Sequence, residues 1–173
     1  VLGVAGCSAA SSPPPAAQVS SQPAAMAFGG TDRAWIEINI AMDEQLLPLL
    51  ELSAGRASDP AVRDLTTQVK AFTDTELGTL RQLHTLAALP AENPHKGMPM
   101  PGMVTPEQVT AAGALTGGAF DKAVVQHVRG HLEQSQQLAV SEEKSGVEPQ
   151  TRRLAAEVLR TRSETLAVLP KLS

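Results

Sequence analysis

Asp121 to His131 reads DKAVVQHVRGH, and Asp32 to Met42, earlier in the chain, reads DRAWIEINIAM. The two are one motif used twice, at an offset of 89 residues. Without a gap, the same shift carries Ala34 onto Ala123, Gln45 onto Gln134, Leu49 onto Leu138, Pro60 onto Pro149, Arg63 onto Arg152, Leu65 onto Leu154, Val69 onto Val158 and Leu77 onto Leu166. Such a repeat implies two helical hairpins related by a pseudo-twofold, each too small to bury its apolar stripe alone and each covering the other. The expected fold is all-α, an up-down four-helix bundle built from two repeated hairpins. At the centre of each copy sits a position that could carry chemistry, Met42 in the first and His131 in the second.

Composition agrees with helices. The 173 residues are 42% hydrophobic, enough for one domain with a real core. With three Phe, one Trp and no Tyr, that core must come from Leu, Val and Ala, which favour helix over sheet. The formal charge of −4 comes without any Lys/Arg cluster, so the phosphate-neutralising surface of a nucleic-acid binder is missing. A single cysteine makes no internal disulfide.

That cysteine has another reading. Val4-Ala5-Gly6-Cys7 resembles a bacterial lipobox, so residues 1–6 read as the remnant of a signal peptide and Cys7 as the lipidation site. Residues 7–30 then form a lipidated tether rich in Ala, Ser and Pro, with too little large apolar surface to fold. As a coil it reaches on the order of 25 Å. The expectation is an exported protein held by membrane lipid through acylated Cys7, on the outer face of the cell membrane or in the periplasm.

Residues 31–170 carry the duplicated bundle. The first helix is expected from Thr31 or Asp32, as cap, to about Ala54, with Trp35, Ile38, Met42, Leu46, Leu49 and Leu50 on one face, Pro48 as a kink and Gly55 as a stop. Asp59-Pro60 opens the second helix, where Glu76 interrupts the apolar stripe and Leu77 keeps the face closed. Thr105-Pro106-Glu107-Gln108 is a capping-box signature for a short extra helix in the crossover, ending at Thr116-Gly117-Gly118. A long helix follows from about Ala119 to Gly146, with Glu142-Glu143 as a solvated charge pair near its end, and Glu148-Pro149 starts the last.

Between the hairpins, PAENPHKGMPMPGMV places His95, Met98, Met100 and Met103 among prolines and glycines. Either the methionines are lids filling irregular gaps at the open end of the bundle, or they are thioether ligands that with His95 suit Cu(I). His127 and His131, four apart on one helical face, can share a metal. With Met42 across the axis the set favours copper, and with Asp43 it tolerates zinc. The competing reading has both histidines bonded to Gln126, Glu133 or backbone.

The segment GMPMPGMVTPEQVTAAGALTGGAFDKAVVQHVRGH resembles domain-of-unknown-function family 305, through Met100-Pro101-Gly102-Met103, Thr105-Pro106-Glu107, Leu115, Gly117 and Phe120-Asp121. The resemblance implies an exported, ferritin-like helical bundle with a duplicated core, and copper at the family's His and Met positions. Where that family carries a His-His pair, this chain has His131-Leu132 and Met42-Asp43. Where it tends to carry Met, this chain has His127 and Ile38.

Catalytic constellations are missing. A ferritin-like di-iron site needs two inward-facing Glu-x-x-His motifs, and the single one here, Glu92 to His95, lies in the proline-rich loop. No serine elbow or phosphate-cradling loop is present. The chain reads as a non-enzyme: a membrane-anchored extracytoplasmic lipoprotein whose bundle binds a soft metal ion, copper above others, for buffering or delivery. The alternative is a metal-free accessory or docking module for a membrane protein complex.

Overall fold

The computed structural model describes residue 3 and residues 27–169, so Cys7 and most of the tether lie outside the described residues. Five helices follow one another: α1 (Gly30–Arg56), α2 (Pro60–Leu86), α3 (Pro106–Gly113), α4 (Gly117–Ser145) and α5 (Pro149–Ala167). Local chemistry explains their starts. Asp59 accepts from the Ala61 N–H at 2.8 Å and Glu148 from the Thr151 N–H at 2.6 Å, each followed by a proline whose missing N–H costs nothing in the first turn. At α3 the capping box forms, with Gln108 N–H donating to Thr105 Oγ1 and Thr105 N–H to Gln108 Oε1.

Two boundaries differ from expectation. Gly29, not Thr31 or Asp32, is the residue before α1, because Asp32 in the first turn reaches back to accept from the Gly29 N–H at 2.6 Å. At the other end α1 runs through Gly55 to Arg56. The Arg56 guanidinium donates to the Gly113 and Leu115 carbonyls, fastening the end of α1 to the crossover.

The helices close as α2–α1–α4–α5, with α2 and α5 also in contact. The Asp32 carboxylate, at the start of α1, accepts from the Val147 and Glu148 N–H groups between α4 and α5. Asp121, at the start of α4, accepts from the Ser58 and Asp59 N–H groups between α1 and α2. Helices α1 and α4 are therefore antiparallel, and the 89-residue repeat is a twofold in space: Asp32 maps on Asp121, and Ser58-Asp59 on Val147-Glu148.

The core has two apolar ends and a polar middle. One cluster joins Leu46, Leu49, Leu50, Val62, Leu65, Val69, Phe120, Val124 and Leu132. The other joins Trp35, Ile36, Leu77, Leu80, Leu83, Ala139 and Val158. Each fully buried Leu or Phe among them is worth about 1.5–3 kcal/mol relative to exposure. Between them on the four helices lie buried Asp43, Thr73, Glu76, His131, Ser135, Arg162 and Thr165. Glu76 is not a harmless break in a stripe. It is buried and takes a two-pronged bond from Arg162 at 2.6 and 2.7 Å, while Arg162 Nε donates to Ser135 and its guanidinium stacks 4.5 Å over Phe72. Burial raises the Glu76 carboxyl above its usual range against the pull of Arg162.

Glu142 also departs from expectation. It is fully buried, not solvated, and faces Asp32. Burial, reinforced by the hydrogen bond and charge of Asp32, pushes its carboxyl up to about 8.

Candidate metal centre

His131 is completely buried in α4, with Nε2 3.4 Å from Oδ1 of equally buried Asp43 in α1. Neither ring nitrogen of His131 has a hydrogen-bond partner, and Asp43 Oδ1 has none either. For His131, the bonds to Gln126, Glu133 or backbone of the competing reading are not made. Nε2 and Asp43 Oδ1 stand within ion-pair distance but out of hydrogen-bond geometry, so the buried imidazole loses water and gains little in return, Nδ1 above all.

Met42, fully buried one residue before Asp43, packs with Ala41 and Met103. Met100 and Ile38 close the same cluster from outside. The crossover is held there from both sides. On α1 the Gln45 amide donates to Met103 Sδ and, at 3.4 Å, to the Ala41 carbonyl. On α4 Gly102 lies so close that a Cβ would stand 2.8 Å from the Gly130 oxygen and 2.5 Å from Gln134 Cβ. Gln45 and Gln134 are twofold mates, as are Ala41 and Gly130, and Met42 and His131. The Met100–Met103 turn thus lies across the pseudo-twofold, above the Met42 and His131 positions.

The remaining site residues spread outward. His127, one turn before His131, is half-buried, and burial lowers its pKa, favouring the neutral form that binds metals. His95 is partly buried and Met98 is 45% exposed. Among the described residues no three His, Cys, Asp or Glu side chains gather into a metal-binding group. Met42 and Met103, packed together, carry thioethers, donors of the soft kind, and Met42 is the residue that the pseudo-twofold relates to His131.

The structural roles of Gln45, of Glu76 with Arg162, and of Glu142 escaped the sequence reading. For Gln45 a signal was available, since the repeat carries it onto Gln134 and both now flank the methionine turn.

A family model described as a domain of unknown function, DUF305, matches residues 32–172. The chain belongs to this family. Its fold is similar to a solved DUF305 structure from Streptomyces coelicolor named as a secreted protein, with a TM-score of 0.72 at 19% identity, covering 80% of this chain and 88% of that one. It is equally similar to a DUF305 fragment from Deinococcus radiodurans, with a TM-score of 0.72 at 14% identity, covering 82% and 94%. These likenesses, made at low identity, establish the fold alone, the all-helical bundle expected from the repeat. No curated protein matches the chain. Among the described residues no helix is long and apolar enough to cross a membrane.

Proposed function

We propose that this DUF305 protein is an exported lipoprotein, tied to the outer face of a membrane through Cys7, whose bundle binds copper(I) for buffering or delivery. Met42, Met103 and His131 are the donors, with Asp43 as a neighbouring carboxylate that balances positive charge. One observation carries this reading: a fully buried imidazole with no hydrogen-bond partner, whose mate across the pseudo-twofold, Met42, is a buried thioether packed on a second, Met103. Thioether and imidazole suit a soft monovalent ion, and the buried position excludes water that would favour harder cations. Binding needs no catalytic step, in keeping with a non-enzyme. The secreted relative from Streptomyces supports export, and the lipobox-like Val4-Ala5-Gly6-Cys7 supports anchoring.

The docking-module reading draws on a different feature, a groove of about 360 Å³ between α1 and α4 lined by Ala34, Trp35, Ile38 and Leu138. An equilibrium competition titration decides between them. The full chain is titrated against a chromophoric Cu(I) chelator, beside His131→Gln and Met42→Leu variants that preserve volume. One-to-one binding weakened at least about tenfold in both variants supports the metal reading. Wild-type binding no tighter than that of an unrelated His-containing bundle overturns it and leaves the groove.

A further inference from the structure

The crossover contains a small repeat of its own. His95-Lys96-Gly97-Met98 and Met100-Pro101-Gly102-Met103 are both closed turns. The Met98 N–H donates to the His95 carbonyl at 3.1 Å, and the Met103 N–H to the Met100 carbonyl at 3.1 Å. Gly97 and Gly102 occupy the third position of each, with φ of 78° and 73°, the left-handed conformation a type II turn requires there. Such a turn brings its first and fourth residues within about 7 Å, Cα to Cα. In both turns those residues are soft donors: His95 with Met98, then Met100 with Met103.

The two couples differ in depth. Met98 is 45% exposed and Met103 only 4%, while Met100 is partly buried against the Met42 cluster. His95 Nδ1 is shielded from solvent yet has no hydrogen-bond partner. Its backbone is fixed nonetheless, since the His95 N–H donates to Asn93 Oδ1 and the Asn93 amide to the Glu37 carbonyl of α1. Pro99 stands between the turns, and its locked φ keeps them as separate units.

We infer that the crossover provides two stations for a soft monovalent ion, His95 and Met98 accepting it at the surface, Met100 and Met103 receiving it above Met42 and His131. This rests on the reading of the bundle layer as a copper(I) site. Passage between stations is ligand exchange: each donor offers a lone pair and withdraws it, the ion keeps its charge, and no protein bond breaks. The outer couple sets how fast the ion arrives, and the inner donors set how tightly it stays. A donor suited to this surface presents the ion on weak, exchangeable ligands.

Stopped-flow transfer of Cu(I) from a coloured bicinchoninate complex to the full chain separates these roles. Met98→Leu and His95→Gln should each slow transfer by about tenfold, with equilibrium affinity unchanged within about twofold, since a step lost from the route acts on rates. Met103→Leu should lower affinity at least about tenfold. If Met98→Leu and His95→Gln transfer at the wild-type rate, or lose as much affinity as Met103→Leu, the two-station scheme fails while the core site stands. If the wild type takes no ion, the core site fails and this scheme with it. Repeating the transfer with Ag(I) checks the role of softness, and an equal response to Zn(II) would contradict it.

Discussion

Asp32 and Asp121 perform the same task at opposite ends of the bundle, each fastening the start of its own helix to the loop of the other hairpin. Asp32 accepts from Gly29, Val147 and Glu148 N–H groups, and Asp121 from Ser58 and Asp59 N–H groups and the Ser58 hydroxyl. The two hairpins are latched reciprocally, so neither opens without releasing a buried carboxylate.

The latches are not equivalent in surroundings, which gives a first prediction. Glu142 faces Asp32, whereas its twofold mate by Asp121 is Ser53, bonded to Thr66 at 3.1 Å. Asp121→Asn should cost about 2–3 kcal/mol, as a charged acceptor of several hydrogen bonds is weakened. Asp32→Asn should cost less near pH 8, because it also removes the charge facing Glu142. Urea unfolding of both variants at one pH tests this order.

Stability should depend on pH through the same groups. The Glu142 carboxyl is raised to about 8 by burial and Asp32, so in the folded state it holds its proton more tightly than when unfolded. Its contribution is full below the ordinary carboxyl range and is lost as pH climbs from about 4.5 to about 8. Asp121 behaves oppositely. Burial would raise its pKa, but the Ser58 and Asp59 hydrogen bonds outweigh this and lower it, so its contribution disappears as pH falls through its folded value. Urea midpoints from acid to alkaline pH should therefore pass through a maximum, and Glu142→Gln should flatten the alkaline descent while leaving the acid limb.

The Glu76–Arg162 pair should show strong coupling. Arg162→Met leaves a buried carboxylate uncompensated and should destabilise by about 3–5 kcal/mol, as should Glu76→Leu, whereas the double variant should recover most of the loss. A double-mutant cycle by chemical denaturation measures it.

Gly102→Ala should loosen the methionine turn without unfolding the bundle. Its φ of 73° disfavours any side chain, and the new Cβ would collide with the Gly130 oxygen and Gln134. A cost of about 1–3 kcal/mol is expected, seen as lost hydrogen-exchange protection at the Met103 amide and little change at Leu46 or Val124.

The fold was legible because the repeat is ungapped and its apolar positions keep helical spacing. The polar layer was not. Glu76 and Glu142 look like ordinary surface acids in sequence, since their partners, Arg162 and Asp32, lie 86 and 110 residues away and nothing local marks them as buried. Asp32 was visible as a repeated residue, but helix capping explained it cheaply, and its reach to Val147 depends on the twofold packing. At the candidate site, the residue types were readable from Met42, His131 and the methionine loop. The packing of Met103 on Met42 depended on Gly102 and Gln45, whose roles are tertiary.

In the proposed function Met42 and Met103, with His131, form a soft-ion site in the bundle. Methyl-labelled methionine NMR of the full chain with Ag(I) tests it directly, since only five methionines are present, Met26, Met42, Met98, Met100 and Met103. One equivalent should shift the Met42 and Met103 methyl signals and the His131 ring signals together, leaving Met26 unmoved. Shifts confined to Met98 and Met100, or uniform weak shifts across all five, would contradict it.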